Sequence, residues 1–113
     1  MNTQTHMKTI KQIGIAGVDS GLLMIGDPCY FIGPESGAQK RFKNWGGFLI
    51  EHTKPSQINT QMKYALGHDG LGVTFNTTHG DGAYPVYVQE NEHGRPRFAI
   101  VVMDGSDIEE IIK

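Results

Sequence analysis

A chain of 113 residues with ten lysines and arginines against twelve aspartates and glutamates carries a formal net charge of -2. Its length fits one domain able to bury roughly two-thirds of the surface its unfolded chain exposes without disulfide support. The lack of a basic excess disfavours an extended nucleic-acid partner, no apolar run approaches the roughly 18 residues of a membrane span, and the single cysteine, Cys29, excludes an intramolecular disulfide.

A lone cysteine fits a reducing compartment. Met1 to Lys11 is polar and lacks the apolar core of a signal peptide, so the chain is expected to be soluble and cytoplasmic. Residues 1–12 read as a flexible N-terminal arm, and 13–113 as a single β-rich domain. Fifteen glycines punctuate the apolar segments and predict many turns.

Ile13 to Val18 alternates larger and smaller residues and predicts a first strand. Asp19-Ser20-Gly21 is turn chemistry, and Leu22 to Ile25 is a short apolar run expected of a buried strand. The two strands read as a hairpin, closed by Gly26-Asp27-Pro28 because proline cannot donate to a ladder. Gly33 to Gly37 reads as a loop, and Phe48-Leu49-Ile50 as a short strand. Ser56 after Lys54-Pro55 predicts a helix N-cap, followed by Ile58, Met62, Ala65 and Leu66 at helical spacing. Gly67 to Gly70 stops that helix. Leu71 to Phe75 alternates as another strand.

The chain is organised around Thr77 to Val88, where a polar, glycine-rich loop runs into a β-prone segment. Glycines 80 and 82 permit dihedrals that other residues resist, with His79 and Asp81 beside them. Tyr84 to Gln89 and Arg97 to Met103 are the clearest strands, joined by a hairpin tipped by His93-Gly94. Asp104-Gly105 ends the second strand. Ser106-Asp107-Ile108-Glu109 is a capping-box pattern opening a terminal helix. The predicted fold is mainly β (β-rich α+β): an antiparallel sheet, sandwich or barrel-like domain with one or two short helices.

Two segments are familiar. Asp19-Ser20-Gly21 with Leu22 to Ile25 and Gly26-Asp27-Pro28-Cys29-Tyr30 resembles the N-terminal signature of a family of small bacterial and phage domains of unknown function. Gly80-Asp81-Gly82-Ala83-Tyr84-Pro85-Val86-Tyr87, with Gly94-Arg95-Pro96 and an apolar strand after it, resembles that family's C-terminal signature. The resemblance implies a compact β-rich domain and carries no established activity. The occurrence of the family in phages suggests, by analogy alone, a ligand-sequestering counter-defence role.

The chemistry-bearing residues each have a bland alternative. Cys29 with His79 has the residue types of a nucleophile and its base, yet free cysteine more often acts as a small hydrophobe. Asp27 before Pro28 more often fixes a turn than binds a ligand; if functional, it pairs with Asp81 around a ribose hydroxyl or a metal. His52, His68, His79 and His93 show no metal-ligand spacing, so neither a metal nor a cofactor is expected. Gly80-Asp81-Gly82 is too short for a P-loop, but its amides could form an anion nest. Thr77, Thr78 and His79 would add donors to such a nest, Arg95 or Arg97 charge, and Tyr84 or Trp45 a stacking face. Lys40-Arg41-Phe42-Lys43 beside Trp45 interleaves cations with aromatics, an arrangement that suits a phosphorylated ligand but is commoner as a solvated surface.

The reading ranked first is a non-enzymatic module binding a small polar or phosphorylated molecule, nucleotides included. Its expected ligand residues are Asp27, Trp45, Thr77, Thr78, His79, Gly80, Asp81, Gly82, Tyr84 and Arg95. The second is a small hydrolase using Cys29 or Asp27 with His79. The third is a protein-interaction or self-assembly domain that forms a homo-oligomer through exposed β edges.

Overall fold

The computed structural model describes residues 9–62 and 72–112. Among them, the chain is a β-dominant α+β fold with two three-stranded antiparallel sheets. It divides into two units, each with its own sheet: one runs from Asp19 to Gly80, and the other joins the chain up to Val18 with the chain from Asp81 onward.

In the split unit, β1 (Lys11–Val18), β5 (Gly82–Glu90) and β6 (Pro96–Val101) lie in the order β1-β5-β6. β1 pairs along β5 from Lys11 opposite Val88 to Val18 opposite Gly82, with an irregularity between Gln12 and Gly14. Alternation places Tyr84, Val86 and Val88 of β5 on one face with Ala16 and Val18 of β1. Val18, Tyr84 and Val88 are buried there. β5 and β6 form the expected hairpin. Gly94 at its tip has φ +78°, a conformation glycine adopts without strain, and Asn91 Oδ1 accepts from the amides of His93 and Arg95.

Pro85 explains where that hairpin ladder ends. The amide of Val102 donates to the Pro85 carbonyl at 3.1 Å. The reciprocal bond that an antiparallel pair would exchange cannot form, because proline has no N–H. The paired register with β6 accordingly stops at Val86 opposite Val101. A four-residue helix, α3 (Ile108–Ile111), follows.

In the continuous unit, β2 (Leu22–Gly26), β3 (Thr60–Gln61) and β4 (Gly72–Asn76) lie in the order β2-β4-β3. Met24 opposite Thr74 belongs to the covered face; Thr74 is fully buried and its hydroxyl donates to the Gln57 carbonyl at 3.0 Å. Ile25 opposite Val73 is on the other face, where both are exposed. A 3-10 turn (Pro28–Tyr30) and two helices, α1 (Gly37–Arg41) and α2 (Trp45–His52), occupy the stretch between β2 and β3. No helix of the described residues is long and apolar enough to cross a membrane.

Several local expectations are corrected. The Asp19-Ser20-Gly21 turn forms, with Ser20 Oγ accepting from the Leu22 amide, but β1 and β2 are not a hairpin: β1 pairs with β5 and β2 with β4. Turn chemistry bends the chain without choosing a partner for each strand. Phe48-Leu49-Ile50 is helical, not extended, because Asn44 caps a helix at Trp45. The stretch after Ser56 forms turns and then β3, because its backbone is recruited by β4. Asn59 takes φ +57° while its side chain accepts from the Asn76 amide, and the Met62 amide donates to the Gly72 carbonyl. Ala65, Leu66 and the stop at 67–70 lie outside the described residues, as does Leu71. The loop at Gly33 to Gly37 holds the start of α1. At the terminal helix Asp107 caps in place of Ser106, accepting from the Glu109 amide at 3.0 Å. β1 begins at Lys11, inside the stretch read as an arm.

Two glycines separate close approach from open space. A Cβ at Gly72 would stand 2.5 Å from the Ile25 carbonyl oxygen across the β2–β4 pair, whereas one at Gly14 meets nothing within 4 Å. Gly72→Ala should therefore destabilise by about 1–3 kcal/mol through backbone displacement. Gly14→Ala should be neutral or stabilising by up to about 1 kcal/mol. Urea unfolding midpoints of the two variants against the parent check both signs.

Candidate ligand-binding site

Two side-chain caps build the helical part of the continuous unit. Ser36, itself buried, accepts from the Gln39 amide at 3.2 Å and starts α1. Asn44 Oδ1 accepts from the Gly47 amide at 2.9 Å and starts α2. Each satisfies an amide that the first turn of a helix leaves without a partner. Once α2 begins at Trp45, helical spacing places Trp45, Phe48 and His52 on one side of it.

Those residues form an aromatic cluster. The indole of Trp45 stacks on Phe48 with centroids 5.6 Å apart and planes 21° from parallel. Phe42 meets Phe48 edge to face at 5.2 Å, and Phe31 approaches it at 6.4 Å and 87°. His52 lies against Phe48 at 4.1 Å and edge-on to Phe42 at 5.6 Å. Each such pair contributes about 0.5–1.5 kcal/mol beyond its buried area.

His52 is fully buried, and its Nδ1 stands 2.7 Å from the Phe48 carbonyl oxygen. A carbonyl only accepts, so Nδ1 carries the proton and donates. Burial pushes the imidazole pKa below its ordinary value, and the positive charge of Arg41 adds to that; the Phe48 carbonyl and Glu51 oppose it. The ring is therefore a neutral wall behind Phe48.

In front of the cluster lies a cavity of about 480 Å³, within the ~300–1,000 Å³ span of small-molecule sites. Phe31, Phe42, Trp45 and Phe48 give it aromatic surface, and Met24 and Ala38 give it aliphatic surface. Lys43, Asn44 and Gln39 supply the polar lining. Trp45 is 56 % exposed although it stacks on Phe48, so its ring remains open to a further partner. Arg41 lies over the Phe42 ring at 5.5 Å, adding charge close by.

Of the ten expected ligand residues Trp45 alone lines this cavity, joined there by Phe42 and Lys43 of the run that interleaves cations with aromatics. Asp27 caps the 3-10 turn that holds Cys29, its Oδ1 accepting from the Cys29 amide at 3.0 Å. The Cys29 thiol is exposed, and the slight desolvation it feels, followed by the hydrogen bond and charge of Asp27, pushes its pKa up. A raised pKa lowers the thiolate fraction, the reverse of what activates a cysteine nucleophile.

Thr77 is buried; its hydroxyl donates to the Gly80 carbonyl and its amide to the Gly21 carbonyl. The Gly80 amide returns a bond to the Thr77 carbonyl at 3.2 Å. Thr78 and His79 form the exposed tip of this turn. Asp81, Gly82, Tyr84 and Arg95 belong to the split unit. Asp81 and Gly82 are exposed there, Tyr84 is buried in β5, and the Arg95 amide and carbonyl close the hairpin tip with Asn91. Arg97 Nη1 donates to Gln89 Oε1 at 3.0 Å. Among the described residues no group of three or more His, Cys, Asp or Glu is placed to hold a metal ion.

Phe31, Phe48 and Asn44 were not among the residues expected at a site, and the run holding Phe42 and Lys43 was read as commoner on a solvated surface. The signal for them was present: an Asn cap followed by aromatic or imidazole rings at positions 45, 48 and 52. No family model, no curated protein and no solved structure matches the chain.

The buried imidazole fixes a pH dependence. Its unfolded-state pKa is near 6.5 and its folded value is lower, so in that window the unfolded chain binds more protons than the folded one. The stabilisation is complete above about pH 6.5 and is lost as pH falls toward the folded value. Thermal unfolding midpoints should decline as pH falls below about 6.5, and His52→Gln should flatten that decline.

Proposed function

We propose that the protein is a non-enzymatic binding module that holds a small molecule with a planar ring in the aromatic cavity of the continuous unit. The observation that carries this reading is the half-exposed indole of Trp45, backed by Phe48 and facing a cavity of about 480 Å³. A ring backed on one side by a second ring is already ordered, so stacking a ligand on its open side incurs little entropic cost. The lining offers stacking faces, aliphatic contact, amides and one ammonium group, the materials of recognition and orientation.

Native mass spectrometry of the freshly purified protein, followed by denaturation and analysis of what is released, tests the reading. A retained small molecule should appear with the parent and disappear with Trp45→Ala. That substitution should leave the fold intact, because Trp45 is more than half exposed. A retained molecule that survives Trp45→Ala, or one turned over to product, would sink the proposal.

A second reading, self-association, is favoured by one feature of the split unit. Among the described residues β1 is an edge strand, on which Ile13 and Ile15 are 59 % and 65 % exposed, and exposed apolar edges invite pairing. On this reading sedimentation gives a dimer or larger species that Ile15→Lys converts to monomer. A monomer at all concentrations removes it.

A further inference from the structure

We infer that the ligand of the aromatic cavity is a planar heteroaromatic anion, of the nucleoside monophosphate class; the inference rests on the binding reading above and narrows it. The polar side chains around the cavity are committed unequally. Gln39 sets its amide 3.2 Å from both the carbonyl and the amide of Gly33, and the O/N assignment that satisfies both has nitrogen donating and oxygen accepting. Asn44 has one lone pair of its oxygen engaged in capping α2, and its two Nδ2 hydrogens only donate. Lys43 brings an ammonium group, which also only donates. The N–H donors of Lys43 and Asn44 thus outnumber the acceptor lone pairs left on the two amides, and they favour a partner rich in acceptors.

Charge points the same way. Lys40, Arg41 and Lys43 fall within four consecutive residues of a chain whose net charge is -2, and Lys43 is the one that lines the cavity. The aromatic wall sets the other half of the requirement. Trp45 presents a flat, half-exposed face, and a flat electron-poor ring such as a nucleobase stacks on it more favourably than an aliphatic group of equal area. A ring on Trp45 with an anionic group toward Lys43 and Asn44 Nδ2 satisfies both. A phosphate or carboxylate alone leaves the aromatic wall uncovered, and a neutral hydrocarbon leaves the donors without acceptors.

The test is a calorimetric titration of the full chain with adenosine 5′-monophosphate, adenosine and 2-naphthol, with emission from Trp45, the single tryptophan, reporting where binding occurs. Adenosine monophosphate should bind at least about tenfold more tightly than adenosine, the gain of one charge-assisted contact at a partly exposed site. Added salt should erode that difference. Lys43→Gln should bring the monophosphate down to the affinity of adenosine and leave adenosine unchanged, and Lys43→Arg should retain the difference.

Equal affinity for adenosine and its monophosphate, or a Lys43→Gln variant that keeps the difference, overturns the anion requirement while the binding reading stands. Binding of 2-naphthol with neither adenine compound bound also overturns the proposed class and leaves the cavity a site for a neutral ring. Failure of all three probes to perturb Trp45 removes the inference and the binding reading together.

Discussion

The hydrogen bond from the Gly47 amide to Asn44 Oδ1 is the constraint on which the continuous unit's aromatic cluster depends. The segment it starts is a poor helix by composition: Gly46 and Gly47 each cost about 1 kcal/mol relative to alanine, and eight residues is too short to persist alone. The cap returns about 1 kcal/mol. Packing of Phe48 against Phe42, Phe31 and Trp45 adds the rest. Gly46 is part of the same device, since a Cβ there would stand 3.3 Å from the capping oxygen. The residue that weakens the helix in isolation is the one that leaves room for its cap.

His52 closes the other end of that arrangement. Its bond to the Phe48 carbonyl runs back one turn, so the group that fills the space behind Phe48 also fixes the backbone that carries Phe48. A leucine of similar bulk would supply the packing without the bond. A charged imidazole would bring an ion into an apolar wall. Neutral histidine satisfies both demands, and its wall is only as firm as its protonation state.

Legibility in the sequence followed the range of the interaction. Gly94 and its flanking residues define the β5–β6 hairpin locally, and both strands could be read because their alternation and turn chemistry agree. The β-dominant class followed from the same features. Partner choice could not be read in this way: Asp19-Ser20-Gly21 prescribes a bend, while β1 takes β5 as neighbour, some seventy residues along the chain. Phe48-Leu49-Ile50 is β-like by composition, and what decides it is Asn44, one polar residue four positions upstream. The focal loop was legible as structure more than as chemistry. Thr77 and Gly80 close a turn with each other and with Gly21, so the Thr77 hydroxyl and both amides already have partners, while Thr78 and His79 stand exposed.

Marginal local stability and an open ring together would make the aromatic cavity responsive to a ligand. A ligand stacked on Trp45 would favour the conformation in which α2 is formed, since Trp45 is its first residue. Any molecule that binds only the folded arrangement stabilises it by RT ln(1 + [L]/Kd), about 2.7 kcal/mol at a hundredfold excess over Kd. That is comparable to the whole cost of the two glycines in α2. An alanine-rich helix in this place would hold Trp45 just as well with the cavity empty, and binding would then change little. With glycines at 46 and 47, occupancy of the cavity by a ligand would be coupled to the integrity of the helix.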